Sequence, residues 1–139
     1  MGEARQVFDR FTAAMTRGDI DEVTTLYAEN AVALSPEGEL RGRKEIVEYL
    51  RPFTEGLSDF RWELLHSHED GNAALDEGWI RGVHTGPLPG PDGQPVAATG
   101  KSIRIRECDA VTVEGGLITS HRFYYDQVEL LGQLGLMPD

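Results

Sequence analysis

Two long stretches of alternating side chains, Ser102 to Glu114 and Leu117 to Gln127, meet at Gly115-Gly116. Adjacent glycines supply the positive φ that both central positions of a tight turn need, so the pattern predicts a long antiparallel hairpin. A sheet with one apolar face must bury it against another layer, and that layer is legible upstream. Val7, Phe8, Phe11, Ala14 and Met15 recur at helical spacing within residues 3–17, and Gly18 ends the run. Asp19 reads as an N-cap, with Glu22 completing a capping box for a second helix through Tyr27. A short strand from Ala31 to Leu34 enters the turn Ser35-Pro36-Glu37-Gly38. A third helix covers Arg43 to Arg51, with Ile46, Tyr49 and Leu50 on one side and Pro52 limiting its far end.

The period then changes. Phe60, Trp62, Leu64 and His66 alternate with their neighbours as a strand, Gly71-Asn72 marks a turn, and Ala73 to Thr85 reads as the antiparallel partner. The stretch 86–100, rich in proline and glycine, is a loop within the domain, and Val128 to Leu136 is a short closing helix. Helices first and long antiparallel strands afterwards predict an α+β fold, a curved antiparallel sheet wrapped around N-terminal helices with an internal cavity at its wide end. The whole chain, 1–139, reads as one domain.

Charge and composition remove several functions. Lys and Arg number 13 against 24 Asp and Glu, a formal net charge of −11. That balance argues against nucleic acid and against an anionic membrane surface as partners. Cys108 is the only cysteine, which excludes an intramolecular disulfide or a multi-cysteine zinc site and fits a reducing cytoplasm. The opening Met1-Gly2-Glu3-Ala4-Arg5 predicts no signal peptide, and no apolar run is long enough for a membrane span.

His121-Arg122-Phe123-Tyr124-Tyr125-Asp126-Gln127, followed by Leu130-Leu131-Gly132-Gln133-Leu134-Gly135-Leu136, resembles the C-terminal signature of the SnoaL-like polyketide cyclase family. Gly82-Val83-His84-Thr85-Gly86-Pro87 is similar to its Gly-x-His-Thr-Gly segment, and Leu40-Arg41-Gly42-Arg43-Lys44-Glu45-Ile46 to its third-helix entry. The resemblance implies the cone-shaped α+β barrel shared with nuclear transport factor 2 and ketosteroid isomerase. It implies a cofactor-free enzyme of antibiotic biosynthesis that closes a ring in a hydrophobic aromatic polyketide methyl ester by intramolecular aldol reaction. It also implies a homodimer formed through the outer sheet face. In this family an aspartate delivered by the last strand moves the proton, which assigns the catalytic role to Asp126. The fold hosts related isomerases, dehydratases, hydrolases and non-catalytic binding proteins as well. Phe11 and Ser35 fall where ketosteroid isomerases keep an oxyanion tyrosine and a base aspartate, and neither replacement can do that work. Arg122 stands where many relatives have tryptophan, and Thr112 where some cyclases have histidine.

The hairpin turn sets a register of its own. Pairing Glu114 with Leu117 puts Arg122 opposite Asp109, Tyr124 opposite Glu107 and Asp126 opposite Ile105. These share a face with Ile103, Val111, Val113 and Ile118, so that face should point inward and carry Asp126 into an apolar cavity. Desolvation there would raise its pKa toward the range of a general acid–base; the other reading is a carboxylate capping the closing helix. Arg122 and Asp109 would form a cross-strand ion pair able to hold a substrate carbonyl, and Tyr124 would line the pocket. His84 either assists Asp126 or makes a single hydrogen bond at a loop mouth. By the same parity His121 faces outward, and Tyr125 packs outward or at a dimer contact. Trp79, Trp62, Phe53 and Tyr27 are candidates for the cavity lining or for plain core. His66 and His68 lack a third ligand, so no metal is expected.

Overall fold

A computed structural model describes residues 2–90 and 94–137. Its elements run α1 (Glu3–Thr16), α2 (Ile20–Thr25), β1 (Tyr27–Ser35), β2 (Gly38–Arg41), α3 (Arg43–Gly56), β3 (Leu57–Asp70) and β4 (Ala73–His84). Two short strands follow, β5 (Leu88–Pro89) and β6 (Pro95–Val96), then β7 (Ser102–Glu114), β8 (Leu117–Tyr125) and α4 (Gln127–Gln133). Six strands form one sheet in the order β2-β1-β8-β7-β4-β3. The expected α+β class holds, with a curved sheet and helices packed on one face, but the sheet does not close into a barrel. Nor is it antiparallel throughout, because β1 and β8 pair in parallel. The long connection between them, α3 and three long strands, permits that geometry.

The interior forms where apolar faces meet. Phe8, Val23, Leu26, Tyr27, Ile46, Val111 and Ile118 are almost wholly removed from solvent between the three N-terminal helices and the sheet. A second cluster, Leu57, Leu88, Ile103, Ile105, Leu130 and Leu134, fills the other end under α4. The Asp19 cap is present, its carboxylate accepting from the Glu22 N–H at 3.0 Å. However, α2 stops at Thr25, and Tyr27 opens β1 instead of ending the helix. Pro52 lies inside α3, which runs on to Gly56. Losing a helical hydrogen bond at proline costs about 3 kcal/mol. Beyond it, the partly buried Phe53 packs against both apolar clusters, which offsets part of that cost. The helix ends where Gly56 meets the 86–100 loop: Thr85 and Gly86 both donate backbone N–H bonds to the Gly56 carbonyl, at 3.0 and 3.1 Å. Part of that loop, 91–93, lies outside the described residues.

The hairpin departs most from the sequence pattern. Gly115 and Gly116 make the turn with φ of 59° and 80°, and Glu114 pairs with Leu117 as expected. Val113 pairs with Ile118, but Thr112 then pairs with Ser120, leaving Thr119 as an extra residue in β8. Its hydroxyl donates to the Thr112 carbonyl at 3.3 Å. One inserted residue reverses the facing of every side chain beyond it. Asp109 is therefore opposite Phe123, Cys108 opposite Tyr124, and Glu107 opposite Tyr125.

Candidate active site

Between α1, α3 and the concave side of the sheet lies a cavity of about 70 Å³. Its wall is almost entirely apolar, built from residues such as Phe11, Met15, Leu50, Phe53, Ile80 and Ile105, with Glu107 and Asp109 among them. Alternation along β7 puts Ile103, Ile105, Glu107, Asp109, Val111 and Val113 on one face, so the two carboxyls share the apolar stripe. Asp109 is only 4% exposed.

A buried relay leads away from Asp109. Its Oδ2 lies 2.8 Å from His121 Nε2, and His121 Nδ1 lies 2.7 Å from the Tyr27 hydroxyl. Both His121 and Tyr27 are fully buried. The imidazole is held by aromatic rings, with centroids at 4.0 Å for Phe123 and 5.0 Å for Phe11. Burial, with a smaller contribution from Arg122, pushes His121 down to about 3, so the ring is neutral at neutral pH. A neutral imidazole carries one N–H. It donates to an ionised Asp109 while accepting from Tyr27, or accepts from a protonated Asp109 while donating to Tyr27. Either arrangement keeps both His121 contacts as hydrogen bonds, with the proton on the carboxyl or off it.

The electrostatics raise both acids. Burial comes first for Asp109, and repulsion from Asp76 second, with Arg5 pulling the other way; together they hold its pKa well above the usual aspartate range. Asp76 sits directly opposite Asp109 across β4 and β7. Arg5 grips Asp76 by two bonds of 2.8 Å. Glu107 is raised by burial and by Asp109. At the same cavity the Tyr49 and Tyr125 hydroxyls lie 2.8 Å apart.

Several expected roles move. Asp126 does not enter the cavity. It is exposed, and its Oδ1 caps α4 by accepting from Val128 and Glu129 N–H at 2.9 and 3.1 Å. Arg122 and Tyr124 lie on the outer face, and Arg122 bonds Ser120 at 3.3 Å instead of pairing with Asp109. His121, expected outside, is the partner of Asp109, and Tyr125 lines the cavity. The cause throughout is the extra residue at Thr119. Glu107 and Asp109 do face inward, because β7 precedes the turn. Trp62 and Phe53 line the cavity; Tyr27 is core behind it; Trp79 is on the outer face beneath Arg104, whose guanidinium lies 3.9 Å from the ring centroid. His84 is fully buried away from the cavity, its Nδ1 accepting the Thr99 N–H at 3.2 Å and anchoring the 86–100 loop. Among the described residues no cluster of His, Cys, Asp or Glu could hold a metal ion, and no helix is long and apolar enough to cross a membrane.

A family model for the SnoaL-like domain matches residues 8–121. No curated protein matches the sequence. Among solved structures, TsrD from Streptomyces laurentii is similar with 23% identity, 97% of this chain and 96% of that chain covered, and a TM-score of 0.80. IdmH, a putative polyketide cyclase from Streptomyces antibioticus, has 21% identity, coverage of 96% and 99%, and a TM-score of 0.77. A hypothetical protein with a ketosteroid isomerase-like fold from Catenulispora acidiphila has 18% identity, coverage of 95% and 94%, and a TM-score of 0.75. At such identities the likeness is one of fold.

Proposed function

The chain belongs to the SnoaL-like domain family, and on that premise we propose that it is a cofactor-free acid–base enzyme acting on a hydrophobic carbonyl compound, of the polyketide-cyclase type, with Asp109 moving the proton. The observation that carries this reading is the position of Asp109: a carboxyl on an apolar cavity wall, one oxygen held by a buried neutral histidine. Its raised pKa makes it a stronger base when ionised and a usable acid when protonated.

In ring closure, the Asp109 carboxylate takes a proton from a carbon flanked by carbonyls. That carbon bonds to a second carbonyl carbon of the same molecule, whose π pair becomes an alkoxide, and the Asp109 carboxyl returns the proton to it. No electrons are exchanged with a cofactor. Tyr49 and Tyr125 supply hydroxyls at the cavity for the developing oxyanion. His121 and Tyr27 are positioning residues: they fix the carboxyl and stabilise either of its protonation states. Asp126, the residue the family resemblance picks out, is assigned the helix cap instead.

Two observations favour a second reading. A cavity of about 70 Å³ is small beside the several hundred Å³ of a typical drug-sized site, and Asp126 is spent on a cap. Both suit an isomerase, dehydratase or hydrolase acting on a compact ring compound, or a carrier of such a compound. Under either reading we place a homodimer contact on the outer face around Val32, Leu34 and Tyr124, which are 37%, 44% and 52% exposed, and take the reducing cytoplasm as its compartment.

The test is ring closure of polyketide methyl esters of one, two and three rings by wild type, Asp109→Asn and Asp126→Asn. Loss of roughly a hundredfold or more in Asp109→Asn alone supports the assignment. Equal rates in wild type and Asp109→Asn would remove Asp109 from the chemistry. Binding of the one-ring compound without conversion would leave a carrier.

A further inference from the structure

The outer face of the sheet carries a row of arginines that the proposed chemistry does not use. Arg61 sits opposite Arg81 across β3 and β4, and Arg81 opposite Arg104 across β4 and β7. Residues directly opposite share a face, so three guanidinium groups rise from three neighbouring strands spaced about 4.8 Å apart. Glu63 reaches two of them, Arg81 at 2.9 Å and Arg104 at 3.4 Å. Among the described residues Arg61 has no ion pair. Like charges directly opposite in a sheet oppose its formation. A chain with 24 acidic side chains against 13 basic ones had ample means to interleave the signs here.

The row is also held in shape. The Arg104 guanidinium stacks on Trp79 at 3.9 Å while its Nη2 reaches Glu63. Gln133 of α4 bonds both the N–H and the carbonyl of Arg104, at 2.6 and 2.7 Å, fixing that end of the row. The three arginines, with Ser102, Gln133 and Asp59, line a concavity of about 540 Å³. That volume lies in the range of small-molecule sites.

We propose that this groove binds a diphosphate-class oxoanion, with Arg61, Arg81 and Arg104 as its ligands. Guanidinium forks match oxoanion edges two bonds at a time. Three forks spanning about 10 Å suit two linked phosphates better than one, and the remaining volume takes the organic part of a diphosphate ester.

Pyrophosphate is the probe. Calorimetric titration of the full chain at low salt should give binding that is tighter than for orthophosphate and weakens as salt rises. Arg61→Gln and Arg81→Gln should each weaken it roughly tenfold or more, while Arg41→Gln, on the far edge strand, changes it little. Unfolding midpoints of the variants, measured without ligand, separate a lost ligand from a lost fold; the proposal expects them close to wild type. Absence of binding at about 5 mM pyrophosphate, or an equal loss in Arg41→Gln, would overturn it. So would a wild-type dimer in sedimentation that Arg61→Glu dissociates, since the row would then belong to an interface between copies.

Discussion

At Asp109, one carboxyl is asked to sit in an apolar wall beside a second acid, and the chain answers with a neutral histidine on one side and an arginine-paired aspartate opposite. The pH dependence follows from signs. The folded pKa of Asp109 is raised, so below its unfolded value of 3.8 both states are protonated and its contribution is fully present. As pH rises, the unfolded chain ionises first, and that contribution is lost up to the folded pKa. His121 runs the other way: its pKa falls from 6.5 to about 3, so its contribution is present above 6.5 and is lost as pH falls toward 3. Asp109→Asn keeps the shape and removes only the first of these. Its unfolding temperature should gain on wild type by about 3 °C or more between pH 4 and pH 7, followed by calorimetry; a difference constant with pH would contradict the buried acid. His121→Phe strands the Tyr27 hydroxyl and the Asp109 carboxyl, and urea unfolding should register a loss of about 2–4 kcal/mol. The inward placement of Glu107 and Asp109 was legible from their alternation with Ile103 and Ile105. The pairing with His121 was not, because it depends on a residue inserted in the facing strand.

That insertion belongs to the scale of the element. Along β8 the apolar residues change phase: Ile118 keeps one parity, while Phe123 and Tyr125 keep the other. A single break in alternation is the signal of a bulge, and it was overridden by the simpler register from the Gly115-Gly116 turn. Deleting Thr119 should remove the bulge and leave a regular ladder in which Ser120 still faces Thr112 and His121 and Phe123 stay inward; we expect the Asp109–His121 bond to survive and denaturant unfolding to change by less than about 3 kcal/mol. Asp126→Ala removes the cap of α4 and should cost about 1 kcal/mol, with Asp126→Asn nearly neutral because asparagine caps as well. Helix α3 teaches a similar lesson. Proline normally marks a helix end, but Phe53 and the docking of Gly56 on the 86–100 loop carry this helix past it. A Cβ at Gly56 would come within 2.6 Å of the Pro87 carbonyl and 2.8 Å of Leu88. Gly56→Ala should therefore destabilise by about 1–3 kcal/mol and loosen the end of the cavity that Leu88 closes.

Over the whole molecule, the order of periodicities was enough to predict an α+β layer architecture, since it depends only on which faces must be buried. Sheet closure and the parallel β1–β8 pair were beyond reach, being set by how long connections return. The two faces of the sheet divide the labour proposed for this protein: an apolar interior with one poised acid, and an outer face with apolar residues on β1 and β8 and arginines across β7, β4 and β3. The central claim is that the interior moves protons through Asp109. The most direct measurement is deuterium exchange at the carbon between the carbonyls of a cyclic β-keto ester, un-ionised at neutral pH, followed by NMR with wild type, Asp109→Asn and Asp126→Asn. The account predicts exchange well above buffer for wild type and Asp126→Asn, with a fall of roughly a hundredfold in Asp109→Asn. Exchange that survives in Asp109→Asn and disappears in Asp126→Asn would contradict it.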